Sequence, residues 1–170
     1  MTIIETTMDR LLYKKLLEWK HSRYRKPLLL QGARQVGKTY LLKEFGRREF
    51  KQVHYINFEK GYDVDFLFKE NLDVHRIIDN ISLLLDRDIN IKEDLLIFDE
   101  IQECPAAITA LRYFYEKMPE LHVIGAGSLI EFVLRSEKFK MPVGRVQSIF
   151  MYPLSFEEFL VGLEEENLLS

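Results

Sequence analysis

The sequence predicts an α/β protein, a three-layer sandwich with a parallel five-stranded sheet and helices on both faces. Three observations predict it. Short apolar runs alternate with stretches of helical periodicity along the chain, the order that builds a parallel sheet with crossover helices. Gly32-Ala33-Arg34-Gln35-Val36-Gly37-Lys38-Thr39 is a full match to the phosphate-loop pattern G-x-x-x-x-G-K-[ST], set between an apolar run and a helical stretch. Leu95-Leu96-Ile97-Phe98-Asp99-Glu100 is an apolar run that ends in adjacent carboxylates, which reads as a central parallel strand buried on both faces. Together they specify the sandwich of the P-loop NTPases.

Each element has its own reason. From Met8 to Lys20, Leu11, Leu12, Leu16, Leu17 and Trp19 lie among charges as in an amphipathic helix. Pro27-Leu28-Leu29-Leu30-Gln31 reads as a buried strand entered through proline. After the loop, Tyr40-Leu41-Leu42-Lys43-Glu44-Phe45 carries helical spacing, giving a helix from Lys38 to Arg48. A second strand is read from Gln52 to Phe58. The aromatic and acidic stretch from Tyr62 to Asn71 is assigned no element. Val74, Ile77, Ile78, Ile81, Leu84 and Leu85 mark a helix from Asp73 to Asp86. The Asp-Glu strand runs from Asp94 to Asp99, and Pro105 opens a helix that reaches Lys117. Leu121 to Ala126 is a fourth strand, Ser128 to Ser136 is helical, and Val146 to Met151 is a fifth strand. Ser155 and Glu158 form a capping box before a last short helix. The organisation is a helix over residues 1–26, a core over 27–152 and the start of a helical region over 153–170.

Composition narrows the function classes. A chain of 170 residues, 47% hydrophobic and 30% charged, is long enough for one α/β domain. A net charge of -3 exerts no global pull toward nucleic acid or membrane. The basic clusters Lys20, His21, Arg23, Arg25, Lys26 and Arg47, Arg48, Lys51 read as solvated helix ends. The single cysteine, Cys104, excludes an internal disulfide and reads as a small half-buried thiol in a reducing compartment. No stretch approaches the roughly 18 apolar residues of a membrane helix, and the N-terminus lacks the basic start and apolar core of a signal peptide. A cytoplasmic location with no membrane partner is expected. His21, His54, His75 and His122 show no ligand spacing with Cys104, so no metal beyond magnesium is expected.

The motifs carry chemistry. Gly32 and Gly37 permit the turn and the close backbone approach that phosphates need. The stretch Gly32, Ala33, Arg34, Gln35, Val36, Gly37, Lys38, Thr39 and Tyr40 is the expected nucleotide cradle at a helix N-terminus. Lys38 reaches the β- and γ-phosphates, and Thr39 offers its hydroxyl to Mg2+ with Asp99 as the supporting carboxylate. Glu100 is placed to polarise a water that attacks the γ-phosphate. Ser128 either touches the γ-phosphate or the attacking water, or caps a helix. Arg145 either stabilises the transferring phosphoryl group from a loop or is a surface arginine. Asn57 either hydrogen-bonds Glu100 and keeps it from water or merely closes its strand. Arg34 contacts phosphate or a neighbour.

The same residues carry a resemblance. The phosphate loop, then Ile56-Asn57-Phe58, Leu96-Ile97-Phe98-Asp99-Glu100-Ile101-Gln102, Gly127-Ser128, Gly144-Arg145, and Tyr152-Pro153-Leu154-Ser155-Phe156-Glu157-Glu158-Phe159-Leu160 resemble a group of bacterial and archaeal AAA-type ATPases. This is the AAA family 14 group, similar to the archaeal ATPases. The resemblance covers essentially the whole chain. It implies an additional-strand core with the P-loop strand between the Asp-Glu strand and the fourth-strand side. It implies ATP and Mg2+ as ligands, Ser128 as a γ-phosphate sensor and Arg145 as sensor or finger. The family usually has a further serine where Leu129 stands, and continues into a nuclease-like C-terminal domain. Residues 153–170 are therefore expected to be the start of a shortened helical region, with a lid supplied by self-association or by a protein partner. Nucleic acid as a partner is implied by the analogy alone. The expected activity is slow Mg2+-dependent ATP hydrolysis, and the alternative is a nucleotide-dependent switch with negligible turnover. No Asn-Lys-x-Asp segment supports a GTPase.

Overall fold

The computed structural model describes residues 10–59, 64–128, 130 and 144–153. Strands β1 (Leu28–Gly32), β2 (Val53–Asn57), β3 (Leu95–Asp99), β4 (His122–Gly127) and β5 (Gln147–Met151) form one sheet in the order β2-β3-β4-β1-β5. All four pairings are parallel. The five-stranded parallel sheet of the sequence reading is therefore observed. The placement of the P-loop strand is corrected: β1 lies between β4 and β5, and β4 separates it from β3. The reason is that an apolar run reports burial and not neighbours. β1, β3 and β4 are all buried over nearly their whole length, so the pattern cannot rank them.

The helices are α1 (Arg10–His21), α2 (Lys38–Glu49), α3 (Phe66–Lys69), α4 (Val74–Leu85) and α5 (Pro105–Lys117), with a 3-10 turn at Ile101–Glu103. The unassigned aromatic stretch thus holds the short α3. The expected helix from Ser128 to Ser136 lies outside the described residues except at Ser128 and Ile130, and the capping box at Ser155 lies outside them entirely.

Alternation along each strand divides the interior into two cores. Leu28, Leu30, Leu95, Ile97, Ile124 and Ala126 face Leu16 and Trp19 of α1 and Leu41, Leu42 and Phe45 of α2. Leu29, Leu96, Phe98 and Val123 join Leu67 and Phe68 of α3, the Val74, Ile77 and Ile81 stripe of α4, and Ile108, Leu111 and Phe114 of α5. Each Leu, Ile, Val or Phe among them, taken wholly from water, contributes about 1.5–3 kcal/mol. Neither face of the sheet could be left wet.

Polar contacts set the helix ends. Asp73 caps α4 by accepting from the His75 amide at 3.0 Å. Tyr13 and Lys20 of α1 both bond the Glu49 side chain at the end of α2, at 2.7 and 3.3 Å. Trp19 Nε1 donates to the Lys26 carbonyl at 2.7 Å, which fixes the chain as it enters β1. Among the described residues no helix is long and apolar enough to cross a membrane. Because every strand is parallel, every carboxyl end opens on one edge, where ligands bind in sheets of this kind.

Candidate nucleotide site

The turn after β1 closes through two residues with positive φ, Gln35 at 63° and Gly37 at 94°. Gly37 occupies the left-handed region at little cost and begins α2 without a side-chain cap. Having no side chain, Gly37 leaves the first-turn amides of α2 uncapped from its position, and the positive end of the helix faces the loop. Lys38 is folded into the loop: its Nζ donates to the carbonyls of Gly32 at 2.9 Å and Ala33 at 2.6 Å. Burial lowers the pKa of this ammonium, against the opposing pull of Glu100 and Asp99. A pocket of about 270 Å³ is lined by the loop residues Arg34, Gln35, Gly37, Lys38 and Thr39 together with Glu59 and Glu100. Val36 is half-buried, while Ala33 and Tyr40 are exposed beside it.

The end of β3 faces the loop. Asp99 is 1% exposed. Its Oδ2 accepts from Thr39 Oγ1 at 2.7 Å and from Tyr55 Oη at 2.5 Å, and its Oδ1 accepts from the Glu100 amide at 2.9 Å. Burial first, and then the bond to Asp99, push the Tyr55 phenol up to about 12, so it remains a donor. The paired Thr39 and Asp99 oxygens suit Mg2+, a hard cation that takes one or two protein oxygens and fills its other positions with phosphate and water. Among the described residues no group of three or more His, Cys, Asp or Glu side chains converges, and a phosphate-bound magnesium needs none.

Glu100 follows in a left-handed turn with φ 52°. Its Oε2 accepts from Gln102 Nε2 at 2.6 Å. Asn57, read from sequence as either a partner of Glu100 or an ordinary strand end, donates to Tyr55 Oη at 3.2 Å and accepts the Glu59 amide at 2.8 Å. Ser128, just beyond β4, is 1% exposed, and its Oγ has no hydrogen-bond partner among the described residues. Since Gln31 of β1 pairs with Gly127, that hydroxyl stands at the same edge as the loop.

Arg145 does not. It precedes β5, whose Gln147 pairs with Leu28 at the start of β1, so it sits at the amino edge of the sheet. There its Nε donates to Glu116 Oε1 near the end of α5 at 3.1 Å. A five-residue strand puts roughly 16 Å between that edge and the loop. That spacing sets Arg145 apart from the loop of its own chain. Cys104 is buried, more deeply than the half-buried thiol expected, and burial pushes it up to about 11.

Sequence reasoning missed Tyr55, Glu59 and Gln102. Period two along β2 would have placed Tyr55 on the same face as Asn57. Nothing in spacing pointed to Glu59 or to the return of Gln102.

Comparison with known proteins agrees with this geometry. The chain is similar to a chain in the structure of the Drosophila ORC bound to AT-rich DNA and Cdc6, at 18% identity and TM-score 0.53, covering 91% of this chain and 59% of the other. It is also similar to the Aeropyrum pernix ORC1 protein solved in complex with DNA, at 19% identity and TM-score 0.53, covering 97% and 49%. These likenesses show the fold, and the chain spans only about half to three-fifths of either relative. No curated protein matches. The AAA-domain family, AAA family 14, matches residues 24–160. With the loop, the buried Asp99 and the sheet order in place, that match settles the classification: the chain belongs to the AAA-domain family and is a nucleotide-binding domain.

Proposed function

We propose that this domain binds ATP with Mg2+ in the pocket beside Lys38 and hydrolyses it with water. The observation that carries the reading is the Thr39 to Asp99 contact at 2.7 Å, with Glu100 lining the same pocket as Lys38. The loop needs one local change to receive phosphate: Lys38 exchanges the Gly32 and Ala33 carbonyls for phosphoryl oxygens, which are stronger partners for an ammonium. Thr39 and Asp99 would hold Mg2+, which would supply positive charge against the charge that develops on the phosphoryl group. Glu100 orients the attacking water and takes its proton. Ser128 donates its unpartnered hydroxyl to the γ-phosphoryl group. Arg34, exposed on the pocket wall, screens the phosphates. Arg145 serves a neighbouring subunit's site and not its own, which makes self-association part of the proposal.

The test is ATP hydrolysis by the chain beside Lys38→Ala and Glu100→Gln. Lys38→Ala is expected to lose nucleotide binding. Glu100→Gln is expected to bind ATP normally and to lose about 10² to 10⁴ in turnover. Parent turnover no greater than that of Glu100→Gln, with tight ATP binding, would replace hydrolysis by the nucleotide-switch reading. A nucleic-acid partner rests on analogy alone, and salt-dependent retention on duplex DNA checks it.

A further inference from the structure

Glu100 opens the 3-10 turn from a left-handed conformation, φ 52° and ψ 42°, which few non-glycine residues adopt. Such a turn alone does not fix where its carboxylate points. Gln102 does: its side chain folds back two residues and donates Nε2 to Glu100 Oε2 at 2.6 Å, a short bond strengthened by the carboxylate charge. Gln102 is itself held. Its Oε1 is buried with no partner among the described residues and rests against the end of β4, where a Cβ on Gly127 would stand 2.1 Å from it. Ile101 anchors the turn between them. It is fully buried, and a Cβ on Gly125 would come within 2.8 Å of its Cδ1.

Two glycines of β4 thus leave the space that this turn fills. Gly127 is followed at once by Ser128, whose hydroxyl also lacks a partner among the described residues. A contact of 2.6 Å with a carboxylate at the mouth of the phosphate pocket is more than a surface turn requires, since a solvent-facing glutamine gains little from it.

We propose that Gln102 is a positioning residue for the attacking water: it ties one oxygen of Glu100 so that the other is left for the water, and Gly127 is the vacancy that admits it. The inference rests on the hydrolytic reading above. It predicts a split in kinetic constants, because the clasp touches Glu100 and not the phosphate loop. In Gln102→Ala, kcat falls about tenfold or more through misplacement of the base, while the Kd for a fluorescent ATP analogue stays within about twofold of the parent.

Gly127→Ala should show the same kcat loss and a lower melting temperature, because its methyl strikes Gln102 Oε1. The double variant should recover the melting temperature and be no slower than the worse single variant, since both remove one contact. An NMR measurement stands apart from turnover. In a ¹⁵N-labelled chain, the Gln102 side-chain amide resonances lie away from those of free glutamines and move to that position in Glu100→Ala. Additive kcat losses, or an unchanged kcat in Gln102→Ala beside an active parent, would overturn the proposal. Amide resonances indifferent to Glu100→Ala would overturn the clasp itself. Parent turnover equal to that of Glu100→Gln would sink the hydrolytic reading and the catalytic role with it, and the resonances would then decide the clasp alone.

Discussion

Asp99 concentrates the electrostatics of the site. A carboxylate 1% exposed survives in a protein interior only when its lone pairs are met. Here Thr39, Tyr55 and the Glu100 amide meet them. Removing one donor leaves part of a buried charge unsatisfied, so Tyr55→Phe should cost about 1–3 kcal/mol of stability, read from urea unfolding at pH 7, with ATP affinity changed little because the phosphate loop is untouched. An unaltered urea midpoint would show that water replaces the phenol. At this scale the sequence was informative where one motif fixes chemistry: Lys38, Thr39, Asp99 and Glu100 all reach one edge, as their patterns require. Tyr55 and Gln102 were illegible for a physical reason. The first enters through the register that sets Asn57 beside Asp99, the second through the return of a turn, and neither leaves a periodic trace.

Among the elements, β4 shows how packing and titration meet. Its first residue, His122, is 8% exposed and lies edge-on to Trp19 of α1 at 5.7 Å and to Phe50 at 4.8 Å. Burial, then the charge of Arg25, holds its pKa down to about 4. In the unfolded chain it titrates near 6.5. Between these values the unfolded state binds more protons, so this contribution is complete above about pH 6.5 and is lost as pH falls toward 4. His122→Phe should flatten the drop in urea midpoint between pH 7 and pH 5; an equal drop in the variant would refute the assignment. Elsewhere the elements follow the sequence closely. α5 begins at Pro105 and ends at Lys117 as read, and the strands shift by only a residue or so at their ends. What periodicity could not supply was strand order, because three equally apolar strands look alike in one dimension. On β3, an interior strand of that sheet, Ile97→Ala should cost about 2–5 kcal/mol by leaving a void in the core under α1 and α2, as thermal melting would show.

The whole molecule is polarised between two edges. The carboxyl edge gathers the phosphate loop, Asp99, Glu100 and Ser128, while the amino edge presents Arg145 against Glu116. Arg145→Ala should therefore leave ATP binding by the chain unchanged. Any effect on turnover should appear only at concentrations where chains associate, and mixing Arg145→Ala with Lys38→Ala should then restore activity, since each would supply what the other lacks. Loss of ATP binding in Arg145→Ala at high dilution would contradict this geometry. The amino edge also holds the chain's one tryptophan. Trp19 is 2% exposed, bonded to the Lys26 carbonyl and set against the His122 ring. The protein thus carries a built-in optical gauge, placed a sheet's length from the nucleotide. Its emission should be blue, should dim in acid as the neighbouring imidazole gains a proton, and should stay dark to ATP, so that folding and ligand binding can be watched on separate channels.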